Sequence, residues 1–359
     1  MNKIEKLLQE WRNAQPLKQD MQRRMDQQFM IDFNYNTNHL EGNTLTYGQT
    51  KLLLLFGKVE GEALMRDLEE MKASNVGLQM IKREALDMDR PLSEQFIRDL
   101  NNTILAGDFY KTSRDGEYRY LIHAGVYKTR PNSVITPSGE MFDYASPEET
   151  PSLMADLVAW YRDEEQKKQL SVVELATLFH YRYIRIHPFE DGNGRIARLI
   201  VNYILYRHGY PMIVIPTADR RNYLDVLGRC DKIVGFLPYD GANATIEQVQ
   251  PFVDYIAAYI EKKLQLAKDL IDGKISVIIE TEVIADDPAQ LGVRLGVKLG
   301  VNQIEIIKLI QSNRKITIAE LAKSIKVSEV TIYKNIKKLK NYGIIERIGS
   351  DKTGFWRVK

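Results

Sequence analysis

The stretch His187-Pro-Phe-Glu-Asp-Gly-Asn-Gly-Arg-Ile-Ala-Arg198 decides how this 359-residue chain is read. It packs an imidazole, a carboxylate pair, a Gly-Asn-Gly turn and two guanidiniums into one short span. A turn of that composition aims successive backbone N–H groups into one concavity, which favours an anion. The chain then runs on through Ile196–Leu205 as an apolar-rich helical stretch closed by Gly209 and Pro211. The turn therefore opens onto a helix N-terminus, where orphan amides and the helix dipole favour a phosphate. Asn193 can donate an amide hydrogen to a phosphate oxygen, and Gly192 and Gly194 remove the side chains that would block close approach. Arg195 and Arg198 can neutralise phosphate charge with forked donors. Asp191 sits where a Mg²⁺ bridging phosphates expects a carboxylate. His187, with an ordinary pKa near 6.5, can take a proton from a hydroxyl. Phe189, Ile196, Leu199 and Ile200 read as core anchors. The bland alternative is a glycine turn beside a buried histidine, and the clustering of phosphate-competent groups weighs against it.

These residues match, at every fixed position, the motif His-x-Phe-x-(Asp/Glu)-Gly-Asn-Gly-Arg-x-x-Arg, so the chain resembles the Fic family. Members of that family mostly transfer AMP from ATP to a hydroxyl side chain of a protein. The resemblance makes His187 the general base and Asp191 the Mg²⁺ ligand. It makes Gly192, Asn193 and Gly194 the anion hole, and gives Arg195 and Arg198 the β- and γ-phosphates. The fold it implies is mainly α: a helical Fic core with a short β-hairpin flap, plus a C-terminal winged-helix domain.

Composition agrees with a globular chain of two or three domains, 44% hydrophobic. One cysteine, Cys230, excludes an internal disulfide framework and a multi-cysteine metal site. The polar, amphipathic start MNKIEKLLQEWRNAQ is not a signal peptide, and no apolar run is long enough to span a bilayer. A cytoplasmic protein with no membrane partner is expected. Charge is unevenly spread: residues 302–359 carry thirteen Lys and Arg against five Asp and Glu, a net +8, which leaves residues 1–301 at −6 of the overall +2.

Ser171-Val-Val-Glu174 reads as a capping box opening a helix that delivers His187 to its loop. Pro147–Tyr161 and Ile246–Leu270 read as amphipathic helices. The stretch Gly125–Thr136 is β-prone and punctuated by Pro131, so a short hairpin is expected there. By resemblance it is the flap that holds a target segment by strand addition, with Val134 and Ile135 as contacts. An ordinary surface hairpin is the alternative. Residues 286–302, with repeated Leu-Gly-Val units, read as a linker.

Upstream, Thr37 and Glu41 are four apart on one helical face, and Gly42 can end that helix. Thr46-Tyr-Gly-Gln49 offers a further capping box. The Thr-x-x-x-Glu-Gly spacing is similar to the inhibitory-helix motif of many Fic proteins. By that resemblance Glu41 pairs with Arg198 and denies it to the γ-phosphate. A solvated helical Glu is the alternative. Tyr223 and Asp231 fall where the family often contacts the nucleobase, although Leu224 and Asp231 depart from the commoner residues; core packing of an amphipathic helix is the alternative. His39, His123 and His180 read as structural.

From Asn302 on, three short helices and a strand pair resemble a winged helix-turn-helix, with Thr331, Tyr333, Lys334, Lys337 and Lys338 on or beside a recognition helix. DNA contact and protein docking both remain open for it. The expected organisation is an N-terminal region over 1–90, a Fic core over 91–285, a linker and a winged helix over 303–359.

The expected function is an autoinhibited protein adenylyltransferase using ATP and Mg²⁺ on a Ser, Thr or Tyr hydroxyl. Its expected partners are a target protein, the chain itself through auto-modification, DNA through 303–359, and a second copy in a homodimer. A Fic enzyme that removes AMP or moves another phosphate-bearing group is one alternative. A nucleotide-sensing winged-helix regulator is the other, and retention of His187, Asp191 and both arginines argues against it.

Overall fold

The computed structural model describes residues 3–113, 116–135, 141–274, 299–313, 316–342, 344–348 and 354–358. Chain contacts divide it into two compact units, one of residues 1–45 and 61–274, the other of residues 46–60 and 275–359.

The first unit is built on two central helices, α7 (Val172–Ile186) and α8 (Asn193–Arg207), which pack against each other. Around them lie α1 (Lys3–Asn13), α2 (Gln19–His39), α4 (Met65–Leu86), α5 (Glu94–Leu105), α6 (Thr150–Lys167), α9 (Arg220–Val234), α10 (Pro238–Ala242) and α11 (Gln250–Ile271). The alternation that sequence suggests is realised: α7 turns Phe179 and Tyr183 into the core, and α8 turns in Ile196, Leu199, Ile200 and Tyr203. Burying one such side chain contributes roughly 1.5–3 kcal/mol. One apolar cluster runs from Leu7 through Leu264, so the helices expected as a separate N-terminal region share the core of the central pair.

Local signals set the helix ends. Ser171 and Glu174 form the expected capping box at the start of α7. The helix expected from Pro147 starts only at Thr150, because Ser146 and Glu149 exchange bonds in a turn ahead of it: Ser146 N–H donates to Glu149, and Glu149 N–H to the Ser146 hydroxyl. The helix expected from Ile246 likewise starts at Gln250, with Pro251 in its first turn.

Two hairpins flank the central pair. Strands β1 (Phe109–Thr112) and β2 (Arg119–Ile122) pair antiparallel, with Lys111 opposite Tyr120. Strands β3 (Val134–Ile135) and β4 (Met141–Phe142) pair with Val134 opposite Phe142. The hairpin expected within Gly125–Thr136 therefore starts later. Most of that stretch is loop, tied down by Lys128, and only its end enters a strand.

The second unit holds α3 (Tyr47–Phe56), opened by the expected Thr46–Gln49 capping box, and a C-terminal three-helix module. Its helices are α12 (Val301–Ser312), α13 (Ile318–Ile325) and α14 (Glu329–Asn341), followed by the antiparallel pair β5 (Ile345–Ile348) and β6 (Phe355–Val358). Ile306, Ile310, Leu321, Ile332, Ile336 and Trp356 form its own core. The expected linker, apart from its last residues, lies outside the described residues. No helix among the described residues is long and apolar enough to cross a membrane.

Candidate active site

The loop between α7 and α8 is shaped by two left-handed residues and one asparagine. His187 ends α7 at φ 52°, and Gly192 starts α8 at φ 83°, a conformation that glycine adopts without strain. Between them Phe189, almost fully buried, pins the loop to the core. Asn193 closes the loop on itself: its Oδ1 accepts from Phe189 N at 3.0 Å and its Nδ2 donates to Phe189 O at 2.6 Å. The amide read from sequence as a phosphate donor is thus spent on the loop, which leaves phosphate binding to the backbone and the arginines. Asn101 of α5 supports the same turn by donating to Asp191 O at 3.0 Å.

The imidazole of His187 is enclosed. Tyr144, just after β4, lies flat on it with ring centroids 4.1 Å apart and planes at 11°. Asn132 Nδ2 lies 2.7 Å and Asn193 Nδ2 3.1 Å from His187 Nδ1. Both amides are oriented by other partners, since Asn132 Oδ1 accepts from Lys128 and Asn193 Oδ1 from Phe189 N. Nδ1 is therefore an acceptor, and the neutral ring carries its proton on Nε2. Burial, and then the nearby Lys128 ammonium, push the His187 pKa down to about 3. Lys128 itself is buried, with Nζ donating to Asn132 Oδ1, Ile186 O and His187 O. Burial lowers its pKa to about 7.

Asp191 sits beside this base. Its Oδ1 accepts from Gly192 N at 2.7 Å, and its Oδ2 accepts from Lys111 Nζ of β1 at 2.8 Å. Burial alone raises a carboxyl pKa, but Lys111 and Arg195 outweigh it and hold Asp191 below the usual carboxylate range. Arg195 is nearly buried and touches Asp191 only at 3.5 Å, which leaves its Nε and Nη1 buried without a partner. An orphaned guanidinium of this kind is costly unless an anion completes it, so the residues present fit a polyphosphate at the start of α8.

Arg198, one turn further on, is claimed from the end of α2. Its Nε donates to Thr37 Oγ1 at 2.9 Å, and its Nη2 donates to Thr37 O at 2.9 Å and to Glu41 Oε1 at 2.7 Å. Glu41 lies in the turn that follows α2, between Leu40 and Gly42 at φ 97°. Its carboxylate comes so close to Gly194 that a β-carbon there would collide with it. The acid thus lies over the N-terminal turn of α8, where a bound anion is favoured.

Two residues expected at a nucleobase are engaged in the protein's own contacts. Tyr223 is in the core, its hydroxyl 2.8 Å from His180 Nε2 and its ring among Phe252 and Tyr255, so it offers no open face for stacking. Asp231 accepts from the Tyr181 hydroxyl at 2.7 Å and from the buried Arg185 at 3.2 Å. The side-chain contacts expected of Val134 and Ile135 lie outside the described residues.

A cleft of about 590 Å³ reaches His187 between β1–β2 and the loop from Arg130 to Ser133. Tyr118, Tyr120 and Glu190 line it, and Arg130 stacks on Tyr120 at 3.9 Å while pairing with Glu190 at 2.6 Å. Lys111, Lys128, Asn132 and Tyr144 were not singled out from sequence. Only the four-residue spacing of Lys128 and Asn132 could have hinted at a shared role.

Residues 91–205 match the model of the Fic/DOC family, and residues 302–353 match that of an HTH domain. The structure is similar to a Fic domain containing signaling protein from Bacteroides thetaiotaomicron, with 56% identity, a TM-score of 0.72, and coverage of 77% of this chain and 98% of that one. It is also similar to Fic-1 (aa134–508) from C. elegans, with 26% identity, a TM-score of 0.59, and coverage of 76% and 72%. Among curated proteins, the protein adenylyltransferase fic-1 of Caenorhabditis briggsae is 29% identical over 68% of this chain. The chain spans only 42% of that relative's length.

Proposed function

The chain belongs to the Fic/DOC family, and on that premise we propose that it transfers AMP from ATP to a protein hydroxyl and is held off by Glu41. One observation carries the reading: Arg195 is buried with unpartnered nitrogens beside Asp191, while Arg198, one turn along the same helix, is sealed by the Glu41 carboxylate from the turn after α2. A triphosphate at the start of α8 satisfies the first arginine and competes with Glu41 for the second.

In this reading the backbone N–H groups of the Gly192–Gly194 turn and both guanidiniums hold the phosphates. Asp191 holds Mg²⁺, which supplies charge neutralisation across the phosphate chain. The acceptor hydroxyl enters through the cleft and loses its proton to His187. A bond forms between its oxygen and the α-phosphorus, and the bond to pyrophosphate breaks. Taking a proton at Nε2 requires that nitrogen to be free, so the Asn132 and Asn193 amides must both release Nδ1 and the ring must carry its proton there instead. Arg198 and the imidazole are then both in resting arrangements that transfer has to undo.

Incubation with α-labelled ATP and Mg²⁺ tests this. Glu41→Gly is expected to raise labelling of the protein and of lysate proteins about tenfold or more, since a charge-assisted phosphate contact contributes roughly 1.5–3 kcal/mol. His187→Ala in that background is expected to be silent. Absence of label from both wild type and Glu41→Gly sinks the reading.

For the C-terminal unit we read α14 as a nucleic-acid face. Tyr333 is exposed, and Lys334, Lys337 and Lys338 share the helix with it. Lysines on one helix suit phosphate contacts.

A further inference from the structure

We propose that Lys111 is a displaceable plug in the divalent-cation seat at Asp191, so that the protein rejects free metal and admits it together with a polyphosphate. This rests on the reading of Asp191 as the metal ligand. Lys111 belongs to β1, far from the motif in sequence, and it places Nζ 2.8 Å from Asp191 Oδ2. The other carboxylate oxygen is already used: Gly192 N donates to Oδ1 at 2.7 Å, and Arg195 Nη2 lies 3.5 Å from it. Oδ2 is thus the oxygen left for a cation, and an ammonium stands on it. A divalent ion bonded to the same oxygen at about 2.0–2.1 Å is repelled at close range by the ammonium that donates to it. Metal binding thus favours departure of Lys111.

Leaving is easy for the side chain and costly for the charge. The Lys111 side chain is 42% exposed on the wall of the cleft, so its flexible stem can swing without opening the core. The acid that lines that cleft is Glu190, which already pairs with Arg130 at 2.6 Å and accepts from Thr129 Oγ1 at 3.1 Å. Among the described residues lining the cleft, a displaced Lys111 therefore finds no carboxylate beyond the one paired with Arg130, and the group that would receive it is a phosphate brought in with the metal. Among the described residues no group of three or more His, Cys, Asp and Glu could hold a metal. The ion thus has no all-protein cage among the described residues and depends on oxygens brought by the ligand, the usual arrangement for Mg²⁺. Lys111 makes that dependence strict.

The test is Mn²⁺ binding to the full chain, read by electron paramagnetic resonance without nucleotide and then with α,β-methylene-ATP. Without nucleotide, Lys111→Met is expected to bind Mn²⁺ about tenfold more tightly than wild type, the effect of removing one competing charge-assisted hydrogen bond. Lys111→Arg keeps the cation and is expected to stay as weak as wild type, which a merely structural role for the lysine does not predict. Asp191→Asn is expected to abolish the gain when combined with Lys111→Met. With the nucleotide analogue, the rise in Mn²⁺ affinity is expected to be larger in wild type than in Lys111→Met. Equal Mn²⁺ affinities of wild type and Lys111→Met without nucleotide overturn the proposal, as does a gain that survives Asp191→Asn. None of these readings needs AMP transfer, so failure of the transferase assay and failure of the plug are separately visible.

Discussion

His187 combines two properties that pull against each other. Its low pKa keeps the ring neutral, so the base is deprotonated across the physiological range, yet its Nδ1 contacts place the proton on the nitrogen that must accept one. The first property gives a prediction: kcat of the Glu41→Gly protein should show no acid limb near pH 6.5, the ordinary value for histidine. A limb at that pH, removed in no other variant, means the ring titrates freely. The second predicts that ¹⁵N spectra of the resting protein show His187 protonated at Nε2, and that Asn132→Ala redistributes the proton. Stability follows the same residues. His187 and the fully buried His180 both have folded pKa values of about 3, below the ordinary 6.5. A depressed pKa gives stability that is complete above 6.5 and lost as pH falls toward 3. Urea unfolding followed through Trp11 and Trp160 should therefore show a falling midpoint across that window. His187, Asp191 and the arginines were legible in sequence because they lie on one contiguous turn. Lys111, Asn132 and Tyr144 come from separate segments and are chemically ordinary, so only the fold reveals that they meet at that turn. Tyr223 is ambiguous in sequence for a related reason: an aromatic at a helical position serves a core as readily as a ligand, and here its hydroxyl meets the buried His180.

At the scale of elements, the strongest readings were those where a polar cap fixes a helix start. Ser171 and Thr46 each form the bond pair their sequence announces. Since Ser171 opens the helix that ends at His187, Ser171→Ala should cost about 1 kcal/mol and lower the melting temperature of the first unit by about 2–4 °C, with transfer activity retained. A calorimetric scan with an unchanged transition counts against that account of α7. Strands were harder to read. The β1–β2 hairpin is hard to see in sequence because each strand is four residues long and largely half-buried or exposed, with only Ile122 fully buried. The flap pairs only two residues per strand, too few for alternation to show.

At the scale of the molecule, the charge asymmetry read from composition coincides with the module of α12–α14 and its hairpin, which has a core of its own. If α14 meets nucleic acid, the affinity of the full chain for duplex DNA should fall steeply with salt. Lys334→Glu with Lys338→Glu should then flatten that dependence by roughly one to two phosphate contacts. Indistinguishable salt slopes would favour protein docking instead. The shared core of the N-terminal helices and the central pair was less legible, since amphipathic faces announce burial but not which neighbour covers them.

The close approach of the Glu41 carboxylate to Gly194 has a further consequence. On the reading proposed above, inhibitor and substrate phosphate contend for one volume, and the inhibitor is covalently tethered there. A tethered group competes at an effective concentration that free ligands in the millimolar range do not readily overwhelm. Raising ATP should then do little to wake the enzyme. The signal that matters is whatever loosens the final turn of α2, so control of this chemistry passes from the abundance of nucleotide to the persistence of one helix end.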